Sequence, residues 1–189
     1  MGTQLYEIFY GRESVNHKLF MVINHADLPV LDAVMPVFTY LGGSWAVYFY
    51  FLLLVIWYGA DRRVMPGRYL VVYAAATLVS IGAEEVLKGF FQVPRPALAI
   101  GMEHVRVLGK FSKSYALPSG HAVFSFMTAF TLSYGRSWRW KSPLFTFAFL
   151  VAYSRIYVGA HYPLDVVAGG VVGVVCGFIV WRVYEQVRK

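Results

Sequence analysis

The sequence predicts an all-α protein: a polytopic membrane helical bundle of five transmembrane helices, six on an alternative reading, preceded by an interfacial helical segment. Three observations carry this. Of the 189 residues, 58% are hydrophobic and only 14% are charged, far from the soluble average. Five stretches, residues 42–59, 69–91, 119–135, 142–160 and 164–182, approach the roughly 20 apolar residues that a crossing helix needs. The turns between them are short except for 92–118, and short turns join antiparallel neighbours in a bundle. The chain divides at the first span into an N-terminal segment, 1–41, and a membrane-embedded domain, 42–189.

In residues 1–41, Leu5, Phe9, Leu19, Phe20, Val22, Ile23, Leu28, Leu31, Val34, Met35 and Phe38 are interrupted by Glu7, Arg12, Glu13, Asn24, His25, Asp27 and Asp32. That mixture suits one or two helices lying on the membrane interface. A sixth span over 19–40 is the alternative. No basic stretch runs into an apolar core here, so a cleaved signal peptide is not expected.

Residues 42–59 form the first predicted span. The second, 69–91, carries Glu84, Glu85 and Lys88 near its end, where Pro94 and Pro96 stop the helix and stiffen the segment holding Arg95. Ionisable groups at membrane depth are costly, which makes each a functional candidate. Arg offers planar, forked recognition of a phosphate and Lys a mobile point charge; either alone would also pass as an interfacial cation. Glu84 precedes Lys88 by one helical turn, good ion-pair spacing, and is read as setting or offsetting Lys88 rather than as catalytic.

The loop 92–118 mixes Arg106, Lys110 and Lys113 with Ile100, Met102, Val105, Val107, Leu108, Phe111 and Tyr115. Such a segment lies over headgroups, as a lid or rim for a lipid or as a plain tether. Pro118-Ser119-Gly120-His121 then opens the third span. A helix N-terminus presents free N–H groups and partial positive charge to an anion. Gly120 lets the ligand approach the backbone, Ser119 either caps the helix or donates to an oxygen, and His121 faces the same anion.

Arg155 closes the fourth span. Pro163 suits the first turn of the fifth, which puts Asp165 in that turn and His161 four residues ahead of it. A carboxylate holding one imidazole nitrogen leaves the other free and more basic, as a nucleophile or base requires. The fifth span also carries Gly169, Gly170, Gly173 and Gly177, a small-residue stripe for close helix packing. Cys176 is read as apolar packing. His17, His25 and His104 make no ligand-spaced cluster, and no metal site is expected.

The net charge is +7 with 17 Lys and Arg. Nine of these (Arg62, Arg63, Arg68, Arg136, Arg139, Lys141, Arg182, Arg188 and Lys189) fall at one set of span ends, which the positive-inside rule makes cytoplasmic. The motifs fall at the other ends. The charge reflects topology, and no basic stripe for nucleic acid is present.

Taken together, Lys88-x6-Arg95-Pro96, Pro118-Ser119-Gly120-His121 and Ser154-Arg155-x5-His161-x3-Asp165 closely resemble the three-part signature of the type 2 phosphatidic acid phosphatase family. The resemblance covers about residues 80–180. It implies a helical core shared with acid phosphatases and vanadium haloperoxidases, and a metal-free, cofactor-free phosphatase chemistry. It further implies that His161 attacks phosphorus, Asp165 polarises His161, and His121 protonates the leaving oxygen. Lys88, Arg95, Arg155, Ser119 and the Gly120 N–H would bind the phosphoryl oxygens.

The expected substrate is a lipid phosphate at the outer face of a bacterial-type inner membrane. The plan is similar to undecaprenyl-diphosphate phosphatases of that family, which often carry Asp where this chain has Gly120. Phosphatidylglycerol phosphate, phosphatidic acid and the lipid A 1-phosphate therefore stay open, as do a lipid phosphotransferase and, outside the enzymes, a non-catalytic lipid-binding protein. The oligomeric state is not legible.

Overall fold

The structure, a computed structural model, describes residues 3–189; the first two residues of the predicted N-terminal segment lie outside them. It is all-helical among those residues. The elements are α1 (Thr3–Tyr10), α2 (Val15–Asn24), α3 (Pro29–Leu41), α4 (Ser44–Ala60), α5 (Gly67–Phe91), α6 (Pro96–Ala99), α7 (Gly120–Ser133), α8 (Trp138–Tyr157) and α9 (Pro163–Val187), with one 3₁₀ turn at Met102–His104. The five predicted spans correspond to α4, α5, α7, α8 and α9.

Helix ends follow local chemistry. Pro163 stands at the first position of α9, where its missing N–H costs nothing. α5 stops at Phe91 because Gln92 takes a left-handed conformation, φ +51°, two residues before Pro94. Ser14 caps α2 by accepting the His17 N–H. In place of one straight helix over 19–40, α2 and α3 meet at a bend of 112°; Asp27, with φ +47°, and Pro29 break the run.

Among the described residues, two helices are long and apolar enough to cross a membrane, Gly67–Ala99 and Pro163–Val187, or three if the bent α2–α3 pair is one span. α4 is apolar but shorter, and α7 has 14 residues. Large apolar side chains point outward along α4, α5 and α9, among them Leu52, Ile56, Leu78, Val86, Val171 and Val183. An exterior of that kind fits hydrocarbon rather than water.

The centre of the bundle is the α7–α9 pair, its most extensive contact. The glycine stripe explains the closeness. A Cβ on Gly169 would run into the Ser119 carbonyl and Ala122, and one on Gly173 into the backbone of Val123 and Met127. α5 packs on both helices and α8 on α7. One apolar core gathers Phe20, Ala122, Phe126, Ala152 and Tyr162; a second, between α4, α5, α7 and α9, gathers Leu54, Tyr69, Val72, Tyr73 and Trp181. Cys176 is buried and free. α2 packs on α8 and α9, and α3 on α8.

The loop 92–118 is folded down onto the bundle. Its Leu108 N–H bonds the Val158 carbonyl and its Ala116 N–H the Val93 carbonyl. Buried Asn24 of α2 donates to the carbonyls of Arg106 and Tyr157 at 2.8 and 2.9 Å. Arg106 pairs with Asp32 of α3 and lies 3.0 Å from Asp27. Gly159, at φ +78°, sits against the Arg106 carbonyl, where a side chain would collide.

Candidate active site

The start of α9 builds the centre of the site. Asp165, fully buried, lies in the first turn of α9. Its Oδ2 accepts the Tyr162 N–H at 2.9 Å and its Oδ1 the Tyr10 hydroxyl at 2.8 Å. The Asp165 carbonyl accepts the Ser119 N–H at 3.0 Å, which ties the start of α7 to the start of α9. His161 occupies the turn between α8 and α9, where its N–H bonds the Arg155 carbonyl at 3.1 Å.

The two nitrogens of His161 face different groups. Nδ1 lies 3.5 Å from Asp165 Oδ2, and Nε2 lies 3.2 Å from Arg95 Nη1. A guanidinium can only donate, so Nε2 presents its lone pair and the ring proton belongs on Nδ1, toward the carboxylate. Burial first, then the charges of Arg95 and Arg155, hold the imidazole well below the ordinary histidine range. His161 is thus neutral, with its basic nitrogen turned toward the cations.

Arg95 is held as a rigid fork. Its Nε and Nη2 donate to the carbonyl and hydroxyl of Ser114, both at 2.9 Å, and Nη1 also reaches the Ala160 carbonyl at 3.2 Å. Arg155 is 93% shielded from solvent, and its Nε has no partner among the described residues. An unpartnered buried guanidinium is expensive, which suits a group waiting for an anion. Lys88 is paired with Glu84 one turn earlier, at 2.5 Å. Glu84 also abuts Gly120, where a Cβ would strike its carboxylate. Ser119 does not cap α7: its hydroxyl is buried and has no partner among the described residues.

Two cavities meet here. One of about 320 Å³ lies between α4, α5 and α7 and reaches Lys88, Arg95, Gly120, His121 and His161, with Glu84 and Glu85 on its wall. The other, about 660 Å³, lies under residues 107–112 and reaches Arg95, His121 and Arg155 beside Lys110 and Ser112. Arg95 and His121 line both. Ser119 and Asp165 line neither, being packed behind Gly120 and His161. All eight predicted residues therefore converge on one region, six at a cavity wall and two supporting them. The loop 92–118 contributes to that wall.

Three contributors escaped the sequence reading. Tyr10 reaches Asp165 from 155 positions away. Ser114 braces Arg95 from the loop. Asn16 of α2 accepts the Leu164 N–H at 2.9 Å, satisfying one of the free donors at the start of α9. No spacing in the sequence signals such long-range partners.

Four similarities bear on this arrangement. The family model described as PAP2 superfamily matches residues 67–189. An undecaprenyl-diphosphatase of Sulfolobus acidocaldarius is 32% identical over 84% of this chain and 73% of that protein; a lipid A 4'-phosphatase of Porphyromonas gingivalis is 27% identical over 93% of this chain and 75% of its own. The crystal structure of Aquifex aeolicus LpxE matches with a TM-score of 0.78 at 34% identity, over 89% of this chain and 96% of that one.

Proposed function

The chain belongs to the PAP2 superfamily, and from that premise we propose that it is a metal-independent lipid phosphatase working through a phosphohistidine. The observation that carries this reading is His161: neutral, backed by Asp165 at Nδ1, with Nε2 aimed at a cavity holding Lys88 and Arg95. The substrate's phosphoryl oxygens take the place of Nε2 as partner of Arg95 Nη1, and Arg155, Lys88 and the free N–H groups of α7 complete the cradle, with Ser119 buried behind Gly120 as its support. Fixed donors of this kind stabilise charge without reorganising, and positioning with electrostatics dominates phosphoryl transfer.

In the first step the Nε2 lone pair attacks phosphorus and the P–O bond to the leaving group breaks. His121 gives that oxygen its proton, while Asp165 stabilises the charge on the His161 ring. In the second step a water attacks phosphorus, His121 takes the water's proton, and the P–N bond breaks to free phosphate and His161. Three side-chain cations neutralise the phosphate, so the chemistry calls for no metal and no cofactor.

The preferred substrate is undecaprenyl diphosphate, supported by the name and 32% identity of the Sulfolobus relative. Phosphatidylglycerol phosphate and phosphatidic acid carry the same reacting group. The second reading is a lipid A phosphatase, supported by the Porphyromonas relative. The protein is placed in the plasma (inner) membrane with five spans, α4, α5, α7, α8 and α9. Residues 1–41 lie at the interface, 42–189 form the phosphatase domain, and the active site faces away from the cytoplasm.

The test is phosphate release by purified protein from undecaprenyl diphosphate, phosphatidylglycerol phosphate, phosphatidic acid and lipid A, with His161→Ala beside the wild type. Fastest release from the diphosphate, abolished in His161→Ala, is expected. Preference for lipid A selects the second reading, and transfer that requires an acceptor lipid selects a phosphotransferase. Near-normal turnover by His161→Ala overturns the nucleophile.

A further inference from the structure

We propose that Tyr10, on the first helix of the N-terminal segment, is a positioning residue for catalysis: its hydroxyl fixes the Asp165 carboxylate so that His161 keeps its reactive orientation. The inference rests on the reading of His161 as nucleophile given above.

Asp165 has two oxygens and two donors. Oδ2 takes the Tyr162 N–H of its own helix turn and faces His161 Nδ1; among the described residues Oδ1 takes only the Tyr10 hydroxyl, at 2.8 Å. The carboxylate is fully enclosed, so no solvent replaces that donor. Removing one partner of a buried charge leaves the remaining oxygen uncompensated, and the carboxylate is then free to turn about its Cβ–Cγ bond. His161 Nδ1 has no other partner among the described residues, so the ring follows the carboxylate.

The surroundings hold Tyr10 in place for this task. Its ring is 2% exposed, stacked on Tyr6 at 5.5 Å and edge-on to Tyr162 at 5.3 Å. Burial first and the Asp165 charge second push its phenol well above the ordinary tyrosine range, so it remains a donor. Asn16 of α2 clamps the same helix start through the Leu164 N–H and ties back to the Phe9 carbonyl at 3.0 Å. Two separate bonds thus lock α1 and α2 onto the turn that carries His161 and Asp165. The interfacial segment becomes a working part of the site rather than an anchor alone.

The experiment compares Tyr10→Phe, Tyr6→Phe and His161→Ala in steady state and in single turnover with enzyme in excess. Tyr6 is the control, since it lies one turn away on the same helix and its hydroxyl makes no hydrogen bond among the described residues. Tyr10→Phe keeps the ring and removes only the donor. Its kcat and single-turnover rate constant are expected to fall about 10- to 100-fold, the scale of one hydrogen bond to a charged group. KM stays within about twofold, since no phosphate contact is touched. Tyr6→Phe is expected to match the wild type. A smaller folded population would reduce the active fraction while leaving the single-turnover rate constant unchanged. An unchanged rate constant in Tyr10→Phe therefore overturns the inference, whatever its stability. If His161→Ala is inactive in that case, the proposed mechanism stands without Tyr10; if His161→Ala turns over normally, the mechanism falls first.

Discussion

His121 lines both cavities beside Arg95, and the proposed mechanism gives it the proton for the leaving oxygen. General acid catalysis typically contributes about 10²–10⁴-fold. The more stable the departing anion, the less it needs a proton. His121→Ala is therefore expected to slow a lipid monophosphate more than a lipid diphosphate, whose leaving group is itself a phosphate. The ratio of mutant to wild-type rates on the two substrates measures this, and equal defects would assign His121 to binding or to the water instead. A chelator is expected to leave turnover unchanged, because the proposed site draws its positive charge from Lys88, Arg95 and Arg155. Activity lost in EDTA and restored by one divalent ion would contradict that assignment. Vanadate is expected to inhibit, as a trigonal-bipyramidal adduct on His161 Nε2 mimics the transition state. The residues behind these predictions were legible in sequence because ionisable groups next to apolar runs are expensive and must be explained. Tyr10 and Ser114 were not, since a tyrosine or a serine beside apolar residues costs little and its distant partner leaves no local trace.

Among the elements, α7 and α9 carry the most. Gly169, Gly173 and Gly177 bring the two backbones together, and this contact holds Ser119 against the Asp165 carbonyl. Gly173→Leu would place a side chain on the backbone of Val123 and Met127. The expected cost lies at or above the ~1–3 kcal/mol of ordinary overpacking, read as a lower unfolding temperature in detergent. Gly59→Leu, on α4 with open space around it, is the matched control and should lose far less; equal losses would refute the packing role. The stripe was legible because small residues at a four-residue repeat form one helix face. Helix ends were legible beside the prolines at Pro94 and Pro163. The break between α2 and α3 was not, because the apolar pattern over 19–40 fits a straight interfacial helix or a bent pair equally well. Nor did the loop 92–118 reveal that it packs on the bundle, since Asn24 and Asp32, the groups that tie it down, read as ordinary interfacial polar residues.

For the whole molecule, orientation decides which lipids the site can meet. Lys88, Arg95, His121, Arg155 and His161 cluster at one end of the bundle, where α5, α8 and the start of α7 and α9 come together. At the opposite ends stand the 61–66 turn, with Arg62 and Arg63, the turn at Arg136, and the α9 terminus with Arg182 and Arg188. Arg136 knits two of these turns by donating to the Val64 carbonyl at 2.8 Å, so the basic end is a structural unit. The proposed outward-facing site rests on the tendency of Lys and Arg to stay on the cytoplasmic side. Whether α2 and α3 enter the bilayer alters only the location of the N-terminus, because α4 onward fixes the direction of every later helix. Single cysteines introduced into a Cys176→Ala background, treated in intact cells with a thiol reagent that cannot cross membranes, test this. A cysteine at Lys110, beside the second cavity, is expected to react, and one at Trp138, which is exposed at the start of α8, is expected to stay unlabelled until the cells are opened. The reverse pattern would put the site on the cytoplasmic leaflet and remove any role in dephosphorylating a carrier lipid on the outer face.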